Sequence, residues 1–343
     1  MASGLEILQP GLGCSIQDAG RFGHRAEGVA VSGALDGIWL ACANALAGNA
    51  ADAAALEVRA LGPRLRVAGG PVRLALVGEV GAELTTGAGE RRALLPWRGI
   101  TLSVGDVLQV GTPARGVAYL AVGGGVAVAP QLGSRSAYQR ACLGGLDGRP
   151  LQAGDVLPAG RGGAGAPVSA RRPFSHAPGP IRVLTGPQAD HFSAEGVRRF
   201  FAGPWRVTPE FDRMGLRLEG PMVAHAGPGC ADIVSDGVAP GAIQVPASGQ
   251  PILLLADCQT VGGYPKIATV IRADLPRLAH LRAGDEIRFL EVSRAEAVAA
   301  LKVQAAELAA WIAGIGAGRD EGWIDEAALY AHNLISGMVA GDP

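Results

Sequence analysis

The sequence predicts a mainly β protein: two barrel-like units, a few helices and a helical C-terminal extension. Three observations lead there. First, 52 of the 343 residues are Gly and 23 are Pro. That glycine share is about twice the usual roughly 7%, and each interior Gly costs a helix about 1 kcal/mol relative to Ala. Second, short aliphatic runs recur at close spacing with Gly or Pro between them, too short and too near one another for βαβ units. Third, the length suits two domains of about 150 residues. A Gly/Pro-rich stretch at 160–180 lies near the middle, where an interdomain linker belongs. Hydrophobic residues make up 48% and charged residues 18% of the chain, enough apolar material for large cores and too little charge for disorder.

The elements follow in order. Residues 1–165 form the first unit. Leu5-Glu6-Ile7-Leu8 runs into Pro10-Gly11, and Ser15-Ile16-Gln17 follows. Asp36 can cap a helix over 38–46 that Gly48-Asn49 ends. Strands are predicted at 64–67, 72–77, 83–85, 100–104, 107–110 and 117–122. Residues 166–180 are the linker. The second unit, 181–292, carries strands at 181–184, 243–245, 252–256 and 267–272, with helices at 190–201 and 275–281. Ser293 can cap a longer helix over 294–313, and a last helix is predicted at 325–338, so 293–343 reads as a helical tail. Gly105-Asp106, Gly154-Asp155 and Gly284-Asp285 each precede an aliphatic strand start. They read as one turn used three times, not as metal sites.

Several functions are excluded early. With 30 Lys+Arg against 31 Asp+Glu, the net charge of −1 gives no global field for nucleic acid or an anionic membrane. Five cysteines, Cys14, Cys42, Cys142, Cys230 and Cys258, are odd in number and widely spaced, so neither a disulfide framework nor a zinc ribbon is indicated. The first residues lack a basic and an apolar region, so no signal peptide is read there, and no run spans a bilayer. A reduced, cytoplasmic, soluble protein is the simplest reading. Only two lysines occur, Lys266 and Lys302, and neither follows a phosphate-binding glycine loop, so a P-loop is excluded. The six histidines show no metal-binding spacing, and no metal ligand set is indicated.

Three polar clusters stand out. Gln17-Asp18-Ala19-Gly20-Arg21-Phe22-Gly23-His24-Arg25 packs an acid, two guanidinium groups and an imidazole into a glycine-rich loop. It suits either close binding of a carboxylate or phosphate, or an Asp–Arg pair that ties down a turn. Glu210-Phe211-Asp212-Arg213-Met214-Gly215 echoes it, and in a duplicated architecture the two loops would face one cleft. The third runs from Gln244 through Asp257-Cys258-Gln259-Thr260-Val261-Gly262-Gly263-Tyr264-Pro265-Lys266. An apolar strand here delivers polar side chains into a turn, which is how a rigid support presents a site. Cys258 reads as a small buried hydrophobe rather than a nucleophile.

These residues carry a resemblance. Gly215-Leu216-Arg217-Leu218-Glu219-Gly220, Gly241-Ala242-Ile243-Gln244-Val245-Pro246, Ala256-Asp257-Cys258-Gln259-Thr260-Val261-Gly262-Gly263-Tyr264-Pro265 and Ala273-Asp274-Leu275 are similar to the allophanate hydrolase subunit 2 family. This is also called the KipA-like or biotin-dependent carboxyltransferase family. Gln17-Asp18-Ala19-Gly20-Arg21, Ser32-Gly33-Ala34-Leu35-Asp36, Ala43-Asn44, Gly48-Asn49 and Gly133-Ser134-Arg135-Ser136 agree with it. The likeness covers about residues 5–292. Val261 departs from the pattern, which more often has Thr there.

The resemblance implies two cyclophilin-like β-barrels and a role beside other subunits. Bacterial members of this kind, with a KipI-like subunit and a lactam-utilising subunit, form an ATP-dependent 5-oxoprolinase that opens 5-oxo-L-proline to L-glutamate. Activating a lactam for attack by water needs cations and preorganised donors. On that reading Asp18, Asp212 and Asp257 are the candidate acids, as bases or Mg²⁺ ligands. Arg21, His24, Arg213, Gln244, Gln259, Thr260, Gly262, Gly263, Tyr264 and Lys266 are the candidate substrate-binding residues. ATP with Mg²⁺ is expected in the complex. One alternative is a carboxyltransferase moving CO₂ from carboxybiotin to urea. Biotin would then arrive on another chain, because neither lysine sits in a biotinylation-type turn. Another is a non-enzymatic binder of a KipI-like protein.

Overall fold

The computed structural model describes residues 3–162 and 164–318. Its first half carries two antiparallel sheets. One has six strands in the order Val156–Pro158, Gly4–Gln9, Arg64–Ala68, Val107–Val110, Ala82–Thr85 and Arg91–Leu94. The other runs Cys14–Gln17, Ala55–Val58, Ala118–Val122, Val72–Val77, Arg98–Leu102, Val168–Ser169 and Gly316–Ala317. Arg64–Ala68 alternates, with Leu65 and Val67 turned into the core and the arginines out, the pattern of a sheet wet on one face. Ala118–Val122 is buried at every position because both faces are covered. Leu120 and Val122 join the core between the sheets, and Tyr119 and Ala121 pack under a helix.

That helix, α1, spans Gly37–Ala47. Asp36 caps it by accepting from the Ile38 and Trp39 backbone N–H groups, and Gly48 ends it in the left-handed region at φ 81°. Both signals were legible in the sequence.

The second half is built on one eight-stranded sheet. Its order is Glu286–Ile287, Trp205–Phe211, Gly215–Glu219, Ile252–Leu254, Ala242–Gln244, Lys266–Val270, Ile181–Thr185 and Phe289–Glu291. Ile181–Thr185 pairs in parallel with Phe289–Glu291, and the other pairings are antiparallel. Its core gathers Phe200, Trp205, Ile243, Leu253 and Phe289. The protein is thus mainly β with barrel-like sheets and few helices. Among the described residues no helix is long and apolar enough to cross a membrane.

The three Gly-Asp turns are the same device. Gly105, Gly154 and Gly284 have φ of 90°, 89° and 91°, a region open to Gly at little cost. In each turn the Asp carboxylate accepts the N–H three residues back: Ser103 to Asp106, Gln152 to Asp155 and Arg282 to Asp285. The turns dock alike, on the backbones of Val67, Ile7 and Val207. Asp106 and Asp155 belong to the first half and Asp285 to the second, so the repeat runs across both.

The remaining helices differ from the sequence reading at their ends. The helix predicted at 190–201 is a 3₁₀ turn, Ala189–His191, followed by α2, Ala194–Ala202, which Ser193 caps. The Ser193 hydroxyl accepts from the Gly196 N–H and so starts the helix four residues later than predicted. The piece predicted at 275–281 contracts to α3, Leu275–Leu278. The long helix α4, Arg294–Ala313, has the expected Ser293 cap, completed by Glu296 into a capping box. It lies against the first half through Leu308 and Trp311. The stretch 166–180 connects the halves but is not loose: Val168–Ser169 adds to a sheet and Phe174 is buried. The helix predicted at 325–338 lies outside the described residues.

Candidate functional site

A charged network crosses between the halves. Glu57 points from Ala55–Val58 into the interior and is fully buried. Its Oε1 meets Arg213 Nη1 at 2.5 Å, and its Oε2 accepts from the Tyr119 hydroxyl at 2.7 Å and the Leu35 N–H at 2.9 Å. On its other edge Arg213 forks onto Asp257, with Nε to Oδ2 at 2.9 Å and Nη2 to Oδ1 at 3.0 Å. Nη2 also donates to the Gly33 carbonyl at 2.6 Å, and the Ser32 hydroxyl donates to Asp257 Oδ1 at 2.6 Å. Ser32 sits in the left-handed region at φ 55°, a conformation that costs a non-glycine residue about 1–2 kcal/mol.

Electrostatics fix the charge of the arginine at the centre of this network. Burial alone would make the Arg213 cation easier to lose, but Glu57 and Asp257 more than offset that and hold its pKa above the ordinary value. Burial, reinforced by Glu57 and Asp36, pushes the Tyr119 phenol well up. Arg213 is therefore a permanent cation that orients Asp257, not a proton donor.

Two cavities flank the network. One, of about 400 Å³, is lined by Arg59, Arg140, Asp212, Arg213 and Asp257. The other, of about 420 Å³, is lined by Asp212, Met214, Gln244, Gln259 and Tyr264. Asp212 and Met214 border both. The Gln259 amide donates to Gln244 Oε1 at 3.5 Å, and the Gln244 amide donates to the Tyr264 carbonyl at 3.3 Å. A Cβ on Gly262 would stand 2.6 Å from Gln244 Nε2, so the absence of a side chain there leaves Gln244 its place. Val261–Gly262 pairs with Asp236–Gly237, and Gly263 accepts from the Ile233 N–H. Lys266 is buried under the same hairpin, with Nζ on Asp236 at 2.7 Å and on the Gly237 carbonyl at 3.1 Å. The Thr260 carbonyl accepts from Val238 N–H.

Asp18, Arg21 and His24 of the first cluster lie outside these two linings. Asp18 is buried and takes hydrogen bonds from the Ser134 and Ser136 hydroxyls and from the Arg135 and Gly20 N–H groups. Burial would raise its pKa, but these donors outweigh it and hold the carboxyl below the ordinary aspartate range. Three of the four donors belong to the loop around 131–136 and organise it. Arg21 is fully buried and donates to the Gln131 and Ser136 carbonyls. His24 pairs with Glu27 on the exposed 3₁₀ turn.

The fold thus brings Asp212, Arg213, Asp257, Gln244, Gln259 and Tyr264 around two adjoining cavities. It places Lys266 behind them and leaves Asp18 and His24 outside their linings. The two loops that echo each other do reach across. Arg213 goes from the second half to Gly33 and Glu57, and Arg25 goes from the first half to the Val238 and Gln259 carbonyls. Glu57, Arg59 and Tyr119 were not picked out from the sequence, while Arg25 and Ser32 stood in the sequence motifs without being named as site candidates. Glu57 had a signal, a lone acid inside the apolar run Ala54-Ala55-Leu56-Glu57-Val58. Cys258 is fully buried, as expected, and burial raises its thiol pKa.

Residues 27–291 match the family described as carboxyltransferase domain, subdomain A and B. The chain is 36% identical over 316 residues to the C-type subunit of 5-oxoprolinase from Escherichia coli (strain K12), covering 88% of this chain and 95% of that one. It is 30% identical to urea amidolyase of Lachancea kluyveri over 84% of its length, but spans 17% of that protein. Kluyveromyces lactis urea carboxylase superposes with a TM-score of 0.79 at 28% identity, over 94% of this chain and 30% of that one. The chain belongs to the carboxyltransferase domain family of subdomains A and B.

Proposed function

We propose that this chain is a subunit of an ATP-dependent 5-oxoprolinase that opens 5-oxo-L-proline to L-glutamate in the cytoplasm. It would act with a KipI-like subunit and a lactam-utilising subunit. The observation that carries the reading is the likeness to the C-type 5-oxoprolinase subunit over nearly the full length of both chains. The site chemistry supports it. Gln259 spends one amide hydrogen on Gln244, which leaves Oε1 and the second amide hydrogen to face the cavity, and a lactam offers one N–H and one carbonyl to such a group. Arg213 fixes Asp257 in the cavity wall, where its carboxylate can orient a donor on the substrate or an attacking water.

The three candidate acids make a poor donor set for Mg²⁺–ATP. The Asp18 carboxylate is filled by four donors and Asp257 is clamped by Arg213. Of the three candidate acids, Asp212 alone is half exposed, with Arg140 beside it. On this reading ATP and Mg²⁺ would be held largely by the partner subunits.

A second reading is favoured by the urea carboxylase superposition: carboxyl transfer from carboxybiotin to urea or a similar amide. Lys266, buried on Asp236, is not placed to carry a swinging biotin, so the carrier would be another chain. Co-expression with the two partner subunits tests both. ATP-dependent glutamate release from 5-oxo-L-proline that disappears when this chain is omitted is the expected result. Unchanged release without it overturns the first reading. Turnover only with urea and a carboxybiotin carrier establishes the second.

A further inference from the structure

The sequence reading expected no grouping of metal ligands, because the histidines are scattered along the chain. Folding brings two of them to one carboxylate oxygen. Asp36 Oδ2 lies 2.6 Å from His176 Nε2 and 2.8 Å from His280 Nε2, across sequence separations of 140 and 244 residues. The other oxygen, Oδ1, is committed to the Ile38 and Trp39 N–H groups that start α1. Asp36 is fully buried, and the imidazoles are only 10% and 15% exposed. The Trp39 ring covers both, stacked on His176 and tilted 4.2 Å from His280.

Charge makes this cluster unusual. A buried carboxylate needs a cation, and among the described residues no Lys or Arg forms an ion pair with Asp36. Both imidazole Nε2 atoms face one oxygen of this carboxylate, and the N-terminus of α1 faces the other. Proton placement alone does not complete the group. His176 Nδ1 is buried with no partner among the described residues, a bare acceptor or a bare donor according to whether it carries a proton. Two imidazole nitrogens and one carboxylate oxygen, all within 4.8 Å of one another, match the ligand types of zinc and its neighbours.

We propose that Asp36, His176 and His280 form a binding site for a divalent transition ion of the zinc type. The donors now stand at hydrogen-bond separations. Bonds of about 2.1 Å from one tetrahedral ion would set them roughly 3.4 Å apart, so loading lengthens the two carboxylate–imidazole separations by about 0.6–0.8 Å. A cavity of about 160 Å³ beside His176, lined also by Asp274 and Glu307, gives that ring room to move. The three residues come from three segments: the start of α1, the stretch 166–180, and the chain just after α3. A bound ion would therefore clip the two halves together, and its binding free energy would add to the stability of their junction. This role is separate from the chemistry proposed above.

The test uses the full chain stripped with EDTA. Titration with Zn²⁺ should show one ion per chain and a raised Tm. Co²⁺ should give visible ligand-field bands of a low-coordinate N/O site. His176→Gln and His280→Gln retain an amide donor for Asp36 but lose the metal ligand, and each should weaken Zn²⁺ binding by about a hundredfold or more. No stoichiometric Zn²⁺ or Co²⁺ uptake by the wild type overturns the proposal. So does equal affinity in both variants, which would place the ion on cysteines or other histidines. The wild-type Co²⁺ spectrum decides even if a variant fails to fold.

Discussion

Arg213 Nη1 and Glu57 Oε1 meet at 2.5 Å between the two halves, with Glu57 fully buried and Arg213 only 12% exposed. The same guanidinium holds Asp257 on its other edge. Removing one member of such a network leaves a buried charge unpaired, a loss of about 3–5 kcal/mol. Arg213→Ala is expected to lower stability by that order in urea unfolding. Arg213→Lys should recover only part of it, because an ammonium cannot reproduce the fork onto Asp257. A change below about 1 kcal/mol for Arg213→Ala would show that the network is not what joins the halves.

Asp18 links stability to pH with a defined sign. Its folded pKa lies below the ordinary value because four donors outweigh burial. Its contribution is complete above the ordinary aspartate pKa of about 3.9 and is lost as pH falls through the lowered folded value. Asp18→Asn should cost about 1–3 kcal/mol near neutrality and flatten the loss of Tm below about pH 4. An unchanged acid limb in the variant would contradict this.

The five thiols should separate by reactivity. Cys14 is pushed up to about 12 by burial with help from Glu57, and burial raises Cys42 and Cys258 as well. Cys142 is exposed. A thiol reagent on the native protein should label Cys142 first and leave Cys14, Cys42 and Cys258 protected until unfolding. Fast native labelling of Cys258, read by peptide mass spectrometry, would revive it as a candidate nucleophile.

Gly262 should matter to the site more than to the fold. The added methyl of Gly262→Ala would stand 2.6 Å from Gln244 Nε2 and 3.3 Å from a Val238 methyl. Displacing Gln244 should lower turnover of the assembled complex about ten- to a hundredfold, while stability changes by about 1 kcal/mol or less. Turnover at the wild-type level would remove Gln244 from the binding surface.

Features written in neighbouring residues were readable without coordinates. The caps of α1 and α4, the three Gly-Asp turns, the burial of Cys258 and the mainly β character each depend on residues a few positions apart. The strand Trp205–Phe211 was missed because Pro209 interrupts its alternation, and Gly215–Glu219 was missed although Leu216 and Leu218 alternate with Arg217 and Glu219. The clusters around Asp212, Asp257 and Gln244 stood out in sequence because polar groups interrupt an apolar background.

Their partners did not stand out, because partnership here is long-range. Glu57 meets Arg213 across 156 residues, Ser32 meets Asp257 across 225, and Asp36 meets His280 across 244. No local pattern records which buried charge another strand will neutralise. Composition and spacing set the element types, and the β-rich, glycine-punctuated chain left little choice there. Only the packing of one half against the other determined which charges could remain buried, since each survives away from water only beside the group that compensates it.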